Sequence, residues 1–340
     1  MKFFFDEAQR LHNPVNFLSS GAAQPNPEQP GRVQALLDGA KAAGLTQSAT
    51  EDHGMGPIGR VHSAEYVHFL RHIYKRWQRI EGASPEVIPN IHPDRRTVSY
   101  PKSAVGQAGF HMADTACPIS EHTFHSAYWS AQTAISATND VLAGAHASYA
   151  LCRPPGHHAF ADLAGGFCFF NNSAIAAAHL KQNGLRAAVV DVDLHHGNGT
   201  QGIFYADPDV LTVSVHADPI RYYPFFWGHA HERGEGDALG TNLNLPLKMG
   251  TGDEGFLEAL DRGLERVQDF GADIIVVALG LDAFEGDPFG GLSVSEQGFA
   301  EIGKRFARMD MPCVMVQEGG YLCDELGDNL TAFMNGFQGV

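Results

Sequence analysis

The 340-residue chain is long enough for two small domains or one large α/β sheet, and its 44% apolar and 18% charged residues are the composition of a soluble globular protein. Its 39 acidic against 23 basic residues leave a formal net charge of −16, which argues against nucleic acid as a partner and suits a cationic substrate. Five scattered cysteines without a C-x-x-C pair point to reduced thiols in a cytoplasm, Met1 to Asp6 is too short for a signal peptide, and no apolar run approaches the length of a membrane span.

In chain order, residues 2–5 read as a first buried strand. Helical spacing follows over 31–44, with Val33, Leu36, Leu37 and Ala40 on one face, and again over 63–77. The stretch 81–123, with Pro85, Pro89, Pro93, Pro101 and Pro118, reads as a long loop, and loops of that length usually serve function or assembly. An alanine-rich helix is expected over 123–143 and another over 172–182. Apolar, β-branched-rich runs at 147–152, 186–192, 210–216, 273–281 and 312–317 read as further buried strands. Thr251-Gly-Asp-Glu254 and Ser293-Val-Ser-Glu296 fit the capping-box pattern ahead of helices. This alternation predicts an α/β fold, one mostly parallel central sheet with helices on both faces.

Ligands of such sheets gather beyond the carboxyl ends of the strands. The run 189–199 ends in two aspartates and two histidines. Asp193 and His195 are two apart, so an extended backbone points both to one side, where a carboxylate and an imidazole can share a divalent metal. Three other strand ends deliver polar groups: Arg153-Pro-Pro-Gly-His-His-Ala159, Asp282, and Glu318-Gly-Gly-Tyr321. Singly, each has a bland reading as a hydrogen-bonded histidine pair, a helix cap or a turn. Together they are the parts of a metal-assisted hydrolase with an open coordination site.

RPPGHHA, GGFCFFNN, DVDLHHGNGT, GLDAFEGDP and EGGY, in that order and over nearly the whole chain, resemble the zinc deacetylases of the arginase–deacetylase fold. DEAQRLHNP, HPDRRTVSYP and DFGADIIVVALGLDAFEGDP look closer to the acetylpolyamine amidohydrolases than to the histone deacetylases. The resemblance implies one catalytic domain over 1–340, with 81–123 as an insertion that makes a homodimer contact (sought at 92–101) and a channel wall. It implies Asp193, His195 and Asp282 as zinc ligands, a set hard enough to accept Fe2+ or Co2+. It implies His158 as general base and then acid, His157 as its electrostatic partner oriented by Asp191, and Tyr321 as donor to the oxyanion. Gly166, Phe167 and Tyr223 would line the substrate tube, Tyr223 with an ambiguous register inside YYPFFWG. Potassium ions are implied at Asp191, Asp193, His195, Ser214 and Val215, and near Phe204, Asp207 and Val210.

Asn198 stands where histone deacetylases carry an aspartate behind the second histidine, and the acetylpolyamine enzymes share it. Phe17 falls where those enzymes place a mouth glutamate, with Asp114, Glu121 and Glu285 as other acids. A two-metal ureohydrolase of the same fold would need a carboxylate at Gly197. A silent binding protein would have no physical reason to keep His157, His158 and Tyr321 together. The expected reaction is therefore cytoplasmic deacetylation of a small acetylated amine, acetylpolyamines first and acetyl-lysine peptides or another N-acyl amine as the alternative.

Overall fold

The computed structural model describes residues 1–94 and 99–340. Its strands are β1 (Lys2–Phe5), β2 (Asn16–Ser19), β3 (Ala22–Pro25), β4 (Thr46–Ala49), β5 (Ala147–Ala150), β6 (Ala187–Asp191), β7 (Val210–Ala217), β8 (Asn242–Leu247), β9 (Ile274–Leu279) and β10 (Cys313–Gln317). Its helices are α1 (Gly31–Ala42), α2 (Ala64–Trp77), α3 (Ala104–His111), α4 (Thr123–Leu142), α5 (Asn172–Gln182), α6 (Asn198–Phe204), α7 (Asp253–Phe270), α8 (Glu296–Arg308) and α9 (Leu326–Gln338). Eight strands form one sheet in the order β4-β1-β5-β10-β9-β6-β7-β8. Every pairing in it is parallel.

The pleat divides the apolar side chains between two cores. Ile275, Val277 and Leu279 of β9 face α1, α7, α8 and α9, where Leu36, Phe256, Phe299 and Phe333 pack. Ile274, Val276 and Ala278 face the opposite way, toward α2, α4 and α5 with Phe69, Ile135 and Ile175. Burial on both faces explains why the central strands read as continuous apolar runs rather than alternating ones.

The structure departs from the sequence reading at several points. The 81–123 stretch is not all loop: Ser103 accepts from Gly106 N and caps α3, whose two glycines obscured the helical pattern. The segment 92–101, where the dimer contact is expected, is described except for 95–98, which lie outside the described residues. Thr251 does not cap α7. Its hydroxyl donates to Lys248 O, and Asp253 instead accepts from the Ser295 amide and hydroxyl. The cap of α8 is Ser295, two residues after the expected Ser293. The sheet's outermost strands, β4 and β8, and the β2–β3 hairpin went unread, because edge strands lack a continuous apolar run. The five cysteines are all unpaired.

A buried ionic cluster ties the N-terminal segment to the carboxyl end of the sheet. Glu28 accepts from Arg32 Nη1 and from Arg153 Nε, both at 2.8 Å, and all three side chains are buried. Arg32 also donates to Glu318 O at 2.7 Å and Gly320 O at 2.5 Å, and lies over the Tyr321 ring at 4.8 Å. Removing Glu28 would leave two buried guanidinium groups without a counter-charge. Glu28→Ala is expected to cost about 3–5 kcal/mol, read as a lower urea midpoint; an unchanged midpoint would show the cluster to be energetically neutral.

Candidate active site

Four adjacent strands, β5, β10, β9 and β6, deliver their following loops to one place. The loop after β6 carries Asp193 and His195, and the loop after β9 carries Asp282. One ligand atom from each lies within 4.8 Å of the others. His195 Nδ1 is 3.0 Å from Asp282 Oδ2 and 3.2 Å from Asp193 Oδ1. Both carboxylates are inaccessible to solvent. Burial first, and then the charge of Asp193, push Asp282 above the usual carboxylate range, as crowded like charges must.

The cradle is built for a cation. A Cβ on Gly280 would sit 2.3 Å from Asp193 Oδ2, and one on Gly319 would sit 2.4 Å from Asp282 Oδ2. Backbone N–H groups fix the outer lone pairs: Gly319 N donates to Asp193 Oδ2 at 2.8 Å and Leu194 N to Asp282 Oδ1 at 3.0 Å. Two carboxylates and one imidazole, converging without a neutralising lysine or arginine among the described residues, suit a zinc-sized divalent ion.

Beside this trio sits the histidine pair from the loop after β5. Their rings are 4.0 Å apart but have different partners. His157 Nδ1 is 2.9 Å from Asp191 Oδ2. Burial opposes a charge on this ring, but Asp193 and Asp191 outweigh it and push His157 up to about 10. His158 Nδ1 is 2.7 Å from Asn198 Oδ1. Burial, with His157 and His195 nearby, holds His158 well below the usual imidazole range. Donation from Nδ1 to the amide oxygen leaves its Nε2 unprotonated and able to take a proton.

The loop after β10 brings Tyr321, whose backbone N donates to Asp287 Oδ2 at 2.9 Å. Asp287 Oδ1 also accepts from Phe289 N, so this aspartate holds backbone and does not join the trio. Burial raises the Tyr321 phenol well above its ordinary value, which keeps the hydroxyl a donor.

These groups open onto a cavity of about 480 Å³ whose wall includes His158, His195, Gly166, Phe167, Tyr223 and Tyr321. Gly166 has no room for a Cβ, which would meet His158 at 2.4 Å. Phe167 holds a left-handed backbone with φ 68°, uncommon for a bulky residue, and lines the cavity. Both tyrosines of YYPFFWG line the cavity. Tyr223 stands edge-on to His158 at 4.9 Å, while Tyr222 stacks on His195 at 5.3 Å. Phe17 lies on the cavity rim, 5.9 Å from Phe167.

Sequence reasoning did not place Asp114. It lines the cavity, where its Oδ2 accepts from Tyr223 Oη at 2.7 Å and from Gly166 N at 3.1 Å. No local pattern marks it, since its partners are 52 and 109 residues away. Glu121 and Glu285 do not line this cavity. Among the residues expected around potassium, Asp191 and Ser214 are register partners on β6 and β7. The Ser214 hydroxyl bridges His196 and His216, which explains the burial of His216. Phe204 ends α6, Val210 begins β7, and Asp207 lies in the turn between them with its carboxylate paired to Lys181.

The histone deacetylase domain family matches residues 26–337. The chain is 42% identical to an acetylpolyamine amidohydrolase of Burkholderia pseudomallei, over 99% of this chain and 98% of that one. It is 39% identical to one from Mycoplana ramosa over the full length of both. The crystal structure of the acetylpolyamine aminohydrolase from Burkholderia pseudomallei superposes with a TM-score of 0.95 at 41% identity, covering 99% of this chain and 98% of that one. The chain belongs to the histone deacetylase family, in its acetylpolyamine amidohydrolase branch.

Proposed function

We propose that this protein is a zinc-dependent amide hydrolase that removes acetyl groups from acetylated polyamines of the acetylputrescine, acetylcadaverine and acetylspermidine type. The observation that carries the reading is the meeting, at one cavity, of the Asp193–His195–Asp282 trio with a histidine paired to a neutral amide and a buried phenol.

Asp193, His195 and Asp282 would hold zinc, which when bound polarises the acetyl carbonyl and lowers the pKa of the attacking water. His158 Nε2 takes the proton of that water as it attacks, and later gives it to the departing amine nitrogen. His157, charged and held by Asp191, stabilises negative charge beside it without exchanging its proton. Tyr321 donates its hydroxyl to the oxygen that becomes an oxyanion. Phe167 and Tyr223 flank an extended alkyl chain, and the Gly166 carbonyl accepts the substrate amide N–H.

Three features favour a small cationic substrate. The chain has a net charge of −16. Asp114 places a carboxylate on the cavity wall, and Phe17 offers a ring face to an ammonium group. Asp114, Thr115 and Ala116 bring the 81–123 segment into that wall, in keeping with its proposed role in narrowing the channel and joining a homodimer. One catalytic domain over 1–340 is part of the same reading, supported by a single sheet that draws strands from residue 2 to residue 317. So are structural potassium ions at the two expected sites and a cytoplasmic setting, the latter supported by the five unpaired cysteines. Among the described residues no helix is long and apolar enough to cross a membrane.

Steady-state deacetylation by zinc-loaded protein tests the substrate. Acetylputrescine, acetylcadaverine and N8-acetylspermidine are expected to exceed an acetyl-lysine peptide in kcat/KM by at least about tenfold, roughly 1.4 kcal/mol of transition-state discrimination. Preference for the peptide would replace the polyamine reading with the acetyl-lysine one. Tyr321→Phe should lower kcat by about 10²–10³-fold with KM little changed, as loss of one oxyanion donor does.

Asn198→Asp places a carboxylate against His158 Nδ1. An anionic partner favours the imidazolium and raises the pKa of His158. If His158 must be neutral to act, the acidic limb of kcat/KM should move to higher pH by about one unit or more. Limbs that stay in place would count against His158 as the base.

A further inference from the structure

Glu318 is a fully buried carboxylate that the mechanism above does not use. It directly follows β10, and its own N–H donates to Leu279 O at 2.9 Å, so its backbone is locked to β9. Its side chain reaches across to the loop after β5. There Oε2 accepts from Gly156 N at 2.6 Å and from His157 N at 3.0 Å, while Oε1 accepts from the Ser173 hydroxyl at 2.7 Å. Three donors from two segments therefore converge on one side chain. Among the described residues no lysine or arginine pairs with this carboxylate, so its acceptor geometry is the feature the surroundings use.

The turn it grips has little freedom elsewhere. A Cβ on Gly156 would lie 2.4 Å from Asn172 N and 2.7 Å from Phe170 O, so the turn is pressed flat against the start of α5. The next residue in the chain after Glu318 is Gly319, whose N–H holds Asp193, and two further on stands Tyr321. One short segment thus touches the histidine turn, a trio carboxylate and the phenol.

We propose that Glu318 is the positioning residue of the proton-transfer pair, registering the Gly156–His157 turn, and with it both imidazoles, against the strand end that delivers Tyr321. The proposal rests on the reading of His157 and His158 as that pair. A displacement of about 1 Å at a reacting group can cost a hundredfold in rate, which is the scale on which such a clamp would act.

Geometry and charge separate in two conservative variants of the full-length, zinc-loaded protein. Glu318→Gln keeps an acceptor oxygen for both N–H groups and offers its amide N–H to the Ser173 hydroxyl, at the loss of charge. Glu318→Asp keeps the charge but withdraws it by one methylene. The expected result is a kcat within about threefold of the parent for Glu318→Gln and about ten- to hundredfold lower for Glu318→Asp. KM should stay within about twofold and zinc at one per chain in both. Parental kcat in Glu318→Asp, a larger loss in Glu318→Gln than in Glu318→Asp, or a loss that follows zinc content would overturn the proposal. His158→Ala, assayed alongside, distinguishes the underlying reading: activity surviving in it removes that reading and the proposal with it, whereas an inactive His158→Ala beside an unaffected Glu318→Asp overturns the proposal alone.

Discussion

The site is governed by the removal of acidic groups from water at one edge of the sheet. Asp191, Asp193, Asp282 and Glu318 are all buried, and among the described residues no lysine or arginine pairs with any of their carboxylates. An isolated carboxylate in such a setting would take up a proton rather than stay charged. Each is given backbone donors, Asp193 N to Asp191, His195 N and Gly319 N to Asp193, Leu194 N to Asp282, and Gly156 N with His157 N to Glu318, which offset part of that cost, while burial still holds Asp191, Asp282 and Glu318 above the usual carboxylate range. The remaining negative charge is shared between a charged His157 and the place where Asp193, Asp282 and His195 converge. Crowding of these carboxylates explains the glycines of the loops: a Cβ on Gly197, Gly280 or Gly319 would lie 2.3–2.4 Å from an oxygen of Asp191, Asp193 or Asp282.

The sheet order explains how residues from 157 to 321 meet. A parallel sheet puts all its carboxyl ends on one edge, and the central run β5-β10-β9-β6 places there, side by side, loops drawn from two distant stretches of the chain. Histidines, phenol and the trio carboxylates each arrive on the loop that follows a strand, where the sheet fixes the start of the backbone and the loop leaves side chains free to turn inward. Arg32 then closes the arrangement from behind, bonded to Glu318 O and Gly320 O and lying over the Tyr321 ring. The phenol is thereby held by the N-terminal helix as well as by its own strand.

Legibility in the sequence followed the physics of each part. β6, β9 and β10 were readable because burial on both faces leaves unbroken apolar runs, and α5 because its helical spacing follows a glycine-rich turn. β4 and β8 were not, being edge strands with polar residues. The trio and the histidine pair were legible as dense local motifs at strand ends. Asp114 and Tyr222 were not, because each gains its place through a contact across the fold: Asp114 with Tyr223, and Tyr222 with His195 and, through its hydroxyl, Gly290 O. The Glu28 cluster escaped for the same reason, joining residues 28, 32 and 153.

The two neighbouring imidazoles show how the same side chain is set to different tasks. His157 and His158 are consecutive, equally buried and 4.0 Å apart at their ring centres, so burial alone would depress both. What separates them is the charge around each ring: Asp193 lies 3.8 Å from His157 Nε2, and the Nδ1 partners differ. A carboxylate oxygen faces His157, and it holds a charge that the buried ring would otherwise shed. An amide oxygen faces His158, orienting the ring without neutralising an imidazolium, and the charge on His157 disfavours a second one beside it. One ring is therefore biased toward its charged form and the other toward its neutral form. Pairs of titrating groups whose surroundings drive them apart in this way mark where acid–base chemistry is done. Here the difference is carried by Asp193 and Asp191 on one side and Asn198 on the other, Asp191 on the last residue of a strand and Asn198 on the first turn of the helix that follows.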